Sequence, residues 1–123
     1  MNYYSYLYSI EQTTMERIIP VKSKDYHKAM LMLWNFSLNL SPMEIDIVSC
    51  VLNHNMEIID VNSRKTLRQE LDKDEFIINN YISRLKNKGV FITKPADKHL
   101  YVNPNIIEMV KEPKITFNLE LTD

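Results

Sequence analysis

SRKTLRQELDKDEFIINNYISRLKNKGVFITKPADKHLYVN, residues 63–103, is the part of this 123-residue chain whose pattern sets the architecture. Leu67 and Leu71 stand four apart, the spacing of one helix face, and Asp72-Lys73-Asp74 then breaks the run. Ile78, Ile82 and Leu85 fall at i, i+4 and i+7, the apolar stripe of a second helix over 74–88. Lys88-Gly89 closes it, with glycine supplying the left-handed C′ position. Beyond it, Val90-Phe91-Ile92-Thr93 and Leu100-Tyr101-Val102-Asn103 read as two strands around a charged tip, Lys94-Pro95-Ala96-Asp97-Lys98. The stretch predicts a helix, a tight turn, a second helix and a hairpin.

Upstream, Ser41-Pro42-Met43-Glu44 combines an N-cap serine, a proline at N1 and a glutamate at N3. This capping box satisfies or removes orphan backbone N–H groups and stabilises the helix start by about 1 kcal/mol. The helix it opens runs over 42–54, with Ile45, Ile47, Val48, Val51 and Leu52 forming a wide apolar face and His54-Asn55 closing it. Ile58-Ile59-Asp60-Val61 has the character of a short strand. Ser63 is expected to cap the helix over 63–72, and Asp74 the one after it. An earlier helix over 24–38 starts at Ser23 as N-cap and carries Met30, Leu31, Leu33, Trp34 and Leu38. Trp34 is an anchor, in the core, between helices or at a protein interface.

Asn103-Pro104 ends the second strand, because proline has no donor for the ladder. A short helix over 105–111 is broken by Pro113. Ile115, Phe117, Leu119 and Leu121 alternate with Thr116, Asn118 and Glu120, which predicts a half-buried strand free to pair with the N-terminal arm or a second subunit. At the other end, Tyr3, Tyr4, Tyr6 and Tyr8 crowd a short arm, and large rings with a polar handle suit an interface. Ile18-Ile19 before Pro20 reads as a short edge strand. The chain divides into an N-terminal arm (1–22), a central domain (23–104) and a C-terminal extension (105–123).

With 45% apolar and 25% charged residues, there is material for one core. A single glycine leaves no Gly-rich phosphate loop and, with five prolines, no flexible linker. Cys50 is the only cysteine, so no intrachain disulfide forms. Among Ile47, Val48 and Val51 it reads as a buried, inert thiol, which suits a reducing intracellular compartment. No apolar run approaches the ~18 residues of a membrane span, and the N-terminus lacks the basic start of a secretory signal. His27, His54 and His99 are too widely spaced to suggest metal ligation, and Asp72-Lys73-Asp74-Glu75 lacks the glycine and spacing of a calcium loop. Neither Ser63 nor Cys50 has an evident base. The expectation is a non-enzymatic protein with no cofactor and no metal. The net charge of −1 hides an asymmetry: residues 63–98 hold nine Lys or Arg against five Asp or Glu, so this window is +4 and the remainder −5. One basic face follows.

The order of elements over 42–103 resembles the winged helix-turn-helix family and covers roughly half of the chain. The resemblance rests on Leu67 and Leu71, on Ile78, Ile82 and Leu85 at their spacing, and on Gly89-Val90-Phe91-Ile92. Leu85-Lys86-Asn87-Lys88-Gly89 looks like the hinge that joins a recognition helix to its wing in many bacterial and phage regulators. Tyr101-Val102-Asn103-Pro104-Asn105 is similar to the end of the winged domain in some plasmid and phage replication proteins. The expected fold is mainly α (α+β): a winged helix-turn-helix with an extra N-terminal helix, an N-terminal arm and a C-terminal strand.

By that resemblance the helix over 74–88 enters the major groove, presenting Glu75, Phe76, Asn79, Asn80 and Ser83. Asparagine reads adenine because its amide donates and accepts at once. Arg64, Lys65 and Arg68 on the preceding helix grip phosphates, as do Lys94 and Lys98 at the wing tip with His99 beside them, and Arg84 joins the DNA face. The implied function is a small transcription regulator or replication accessory of phage, plasmid or low-GC bacterial type. It would act on double-stranded DNA in the cytoplasm, as a homodimer or with a protein partner held by the arm and the C-terminal strand. The alternative is a structural or assembly protein, for example of a phage particle. Glu75, Phe76 and Ile77 make the start of the reading helix acidic and apolar, which suits a protein contact.

Overall fold

The capping box at Ser41 forms as the sequence predicts: the Ser41 hydroxyl accepts from Glu44 N at 3.3 Å, and Glu44 Oε1 accepts from Ser41 N at 2.9 Å. In the computed structural model, which describes residues 18–111 and 120–122, it opens the most buried helix among the described residues. Among the described residues there are five α-helices and a two-stranded antiparallel sheet, a mainly helical α+β arrangement. These are α1 (Tyr26–Leu38), α2 (Pro42–Asn53), α3 (Val61–Leu71), α4 (Glu75–Asn87), β1 (Phe91–Thr93), β2 (Leu100–Val102) and α5 (Pro104–Lys111).

Helix α2 is the centre. Ile47, Val48 and Val51 have no exposed surface, and α1, α3 and α4 all pack against this helix. Leu67 of α3, Ile78, Ile82 and Leu85 of α4, and Val90 and Phe91 complete the same cluster. The apolar spacings of α2, α3 and α4 thus mark inward faces, whereas Leu33, in the apolar pattern of α1, is exposed. Residues 105–111, grouped above with the C-terminal extension, contribute Ile106 and Val110 to this core. The Tyr26 hydroxyl donates to the Val110 carbonyl at 2.7 Å and Trp34 Nε1 to the Met109 carbonyl at 3.0 Å, so α5 is bonded to α1.

Four local expectations differ from the structure. Ser63 does not cap α3. Asp60 does, accepting from Ser63 N at 2.8 Å, and the helix begins at Val61. The Ser63 hydroxyl, now inside the first turn and buried, donates back to the Ile58 carbonyl at 2.7 Å. The early helix start leaves little room for the strand expected at 58–61, which shrinks to one antiparallel bridge between Ile58 and Tyr101. Ile59 N donates to Leu100 O at 2.8 Å and Val102 N to Glu57 O at 3.0 Å on either side of it. Ser23 lies in a 3₁₀ turn, Ser23–Asp25, and no side chain caps α1. Ile18 and Ile19 are exposed and form no strand.

The hairpin pairs Phe91 with Val102, Ile92 with Tyr101 and Thr93 with Leu100. Asn103 fixes its base. Its side-chain N–H donates to Gly89 O at 2.9 Å, its backbone N–H donates to Val90 O at 2.8 Å, and its Oδ1 accepts from Asn105 N at 3.0 Å at the start of α5. Gly89 has φ +80° and nothing within 4 Å of where a Cβ would stand. Gly89→Ala is therefore expected to cost about 1–2 kcal/mol through backbone strain alone. A urea midpoint unchanged from wild type would refute that assignment.

Candidate nucleic-acid interface

Helix α4 is aimed by the turn before it. Asp72 ends α3 with φ 52°, a left-handed conformation that a short polar side chain tolerates. Asp74 then caps α4, its Oδ1 accepting from Ile77 N at 2.9 Å. With Ile78, Ile82 and Leu85 inward, Phe76, Asn80, Ser83 and Arg84 are exposed, and Asn79 is half-buried.

Arg64 and Asn79 are drawn together: Arg64 Nη1 donates to Asn79 Oδ1 at 2.7 Å, joining α3 to α4. This occupies the oxygen with which Asn79 would accept from an adenine, leaving Asn80 as the unencumbered amide on the exposed side. Arg68 stands 4.0 Å from the exposed Glu75 carboxylate, a contact too long and too solvated to bind it firmly. Lys73, Asn80 and Arg84 line one surface hollow of about 320 Å³ together with Met43, Ile77 and Tyr81. The Arg84 guanidinium lies 4.8 Å from the Tyr81 ring centroid, which orients it without neutralising it. The sequence pattern does not single out Lys73. It sits in the turn, and only the fold brings it beside Arg84.

At the hairpin tip, Lys94 Nζ lies 4.0 Å over the Tyr101 ring and Lys98 takes φ 61°. Asp97 accepts from the Tyr101 hydroxyl and, at 3.1 Å, from His99 N. The Tyr101 hydroxyl and then the His99 N–H hold the Asp97 carboxyl below the usual range, and the same bond raises the Tyr101 phenol. The tip is therefore less positive than its lysines imply. Among the described residues, Arg64, Lys65, Lys73, Arg84, Lys86, Lys94 and Lys98 have no carboxylate within 4.0 Å, whereas Lys88 is engaged with Glu44.

Trp34 is half-buried between α1 and α5 through its bond to Met109. Tyr3, Tyr4, Tyr6 and Tyr8 lie outside the described residues, as do residues 115–119 of the expected C-terminal strand; Glu120 and Leu121 have no regular secondary structure. The two His–metal and Cys–base exclusions drawn from spacing meet a different geometry. Cys50, His54 and Glu70 converge, with one ligand atom from each within 4.8 Å of the others. The signal available in the sequence was Cys50-x-x-x-His54 at i, i+4; the third member comes from α3 and has no local signature. No described helix is long and apolar enough to cross a membrane. No protein-family model, curated protein or solved structure matches this chain.

Proposed function

We propose that residues 42–103 form a winged helix-turn-helix that binds double-stranded DNA, in a non-enzymatic regulator or replication accessory acting in the cytoplasm. The observation that carries this reading is the gathering of Lys73, Asn80 and Arg84 on one hollow of α4, with no carboxylate of the described residues within 4.0 Å of either cation. Asn80 and Ser83 read base edges, and Asn79 is held by Arg64 as a positioning contact. Lys65, Lys73, Arg84, Lys94 and Lys98 neutralise phosphates, and such contacts supply affinity without sequence information.

The test is fluorescence anisotropy on a mixed-sequence duplex. Five phosphate contacts give a log–log salt slope of about −4 to −5, or about a 500-fold loss of affinity between roughly 50 and 200 mM salt. A Lys73→Ala/Arg84→Ala variant is expected to weaken binding on every sequence and to reduce the slope by about 2. Asn80→Ala is expected to change sequence preference with little change in slope. Absence of salt-sensitive binding even at low salt would overturn the reading. A second reading, a protein-contact module, is favoured by one feature: Phe76, 74% exposed at the first turn of α4, beside the exposed Glu75. Under that reading Phe76→Ala, not Lys73→Ala/Arg84→Ala, abolishes assembly.

A further inference from the structure

We infer that Cys50, His54 and Glu70 form a zinc-binding site that clamps the C-terminal end of α2 to the last turn of α3. Cys50 and His54 are one helical turn apart, so both side chains leave α2 on the same side. Glu70 reaches them from α3: the Cys50 thiol donates to Glu70 Oε2 at 3.3 Å, and His54 Nε2 lies 2.5 Å from Glu70 Oε1. Thiolate, imidazole and carboxylate are the three zinc donor types. Zinc bond lengths of about 2.0–2.3 Å in a tetrahedron put neighbouring donors about 3.3–3.6 Å apart. The sulfur–oxygen separation already matches, and the three donor atoms lie within 4.8 Å of one another. A separation increase of about 1 Å between His54 and Glu70, both on exposed side chains, completes the set.

The surroundings fit a cation. His54 is the C-cap of α2, where the helix carries partial negative charge. Cys50 is 5% exposed and forms the inner wall, while the side chains of His54 and Glu70 are 40% and 48% exposed, leaving the outer side open for a water as fourth ligand. In the metal-free state burial, reinforced by the Glu70 carboxylate, pushes the Cys50 thiol up to about 12. The thiol is therefore protonated and unreactive as a nucleophile. On binding, the S–H bond breaks, a Zn–S bond forms, and the thiol proton passes to solvent; the proton between His54 Nε2 and Glu70 leaves Nε2 by tautomeric transfer to Nδ1, which frees the Nε2 lone pair and the ionised carboxylate for the metal. The site does not depend on whether α4 binds DNA.

The untagged chain, stripped with a chelator and kept reduced, is titrated with Co²⁺ as a spectroscopic stand-in and with Zn²⁺ against a chromophoric chelator. The expected result is one Co²⁺ per chain with sulfur-to-cobalt charge-transfer absorption and the visible bands of tetrahedral geometry, displaced by Zn²⁺. Affinity is expected to rise with pH, because a proton must leave. His54→Gln and Glu70→Gln, at exposed positions, are each expected to weaken binding by about a hundredfold or more with unchanged circular dichroism. Cys50→Ser removes the charge-transfer band; should it fail to fold, the two surface variants decide. Binding without a thiolate band, or equal affinity in wild type, His54→Gln and Glu70→Gln, would show the trio to be a hydrogen-bonded cluster only.

Discussion

Phe91→Ala is expected to lower the free energy of unfolding by about 3–5 kcal/mol. Phe91 has 0% exposure and heads the fully buried side chains by volume, so truncation leaves a cavity where α4 hands over to the hairpin. A domain of this size has only about 5–15 kcal/mol in total, so the variant is expected to be partly unfolded at 37 °C. Urea denaturation followed by circular dichroism measures it. The neighbouring Ile92 points to the other face of the strand and is half-buried, so Ile92→Ala serves as the comparison, with an expected loss of about 1 kcal/mol. Equal losses at the two positions would mean that the hairpin is not seated on the core through Phe91.

Lys88→Ala is the second large effect, about 2–3 kcal/mol. Glu44 is 2% exposed, and its Oε1 accepts from Lys88 Nζ at 2.8 Å; the same ammonium donates to Asn39 O at 2.8 Å. Removing the lysine leaves a buried carboxylate with its capping bond but without its cation. The Lys88 side chain is 35% exposed, so solvent screening keeps the loss at the lower end of the range for buried pairs. Glu44→Gln/Lys88→Met, which removes both charges, is expected to recover much of that loss. A double variant as unstable as Lys88→Ala would show that the damage is to packing.

This pair also sets a pH dependence. Burial pushes the Glu44 carboxyl up, but the Lys88 ammonium together with the Ser41 N–H and hydroxyl outweighs it, and the pKa lies below the ordinary value. The unfolded chain therefore takes up this proton at higher pH than the folded one. The contribution is complete above the ordinary glutamate pKa and is lost as pH falls below it, through the lowered pKa of the folded state. In Lys88→Ala the lowering cation is gone, so stability is expected to fall less between pH 7 and pH 3.5 than in wild type. Parallel pH profiles would rule out Glu44 as the acid-sensitive group.

The local signals were legible because each is complete within one or two helical turns. The capping box at Ser41, the cap at Asp74, the left-handed Gly89, and the inward stripe of Ile78, Ile82 and Leu85 all appear where the spacing puts them. Where two local signals compete, the sequence does not choose. Asp60 and Ser63 are both good caps, and Asp60 wins because the Ser63 hydroxyl finds the Ile58 carbonyl. The candidate interface was legible in part. Asn80, Ser83 and Arg84 follow from the helix period once the buried stripe is known, and all three are exposed.

Which charges remain free was decided elsewhere. Lys88 reads as an ordinary helix-ending lysine until α2 places Glu44 beside it, 44 positions away in sequence. Arg64 reads as a free cation until the α3–α4 packing delivers it to Asn79, 15 positions on. Cys50 reads as an inert core thiol until Glu70 arrives from α3. By itself the sequence determined the main helices, the caps at Ser41 and Asp74, the hairpin and the inward faces of α2, α3 and α4, because backbone hydrogen bonding and side-chain period are short-range. Only the tertiary structure decided which polar groups are consumed and which face solvent, because that depends on how helices distant in sequence pack around α2.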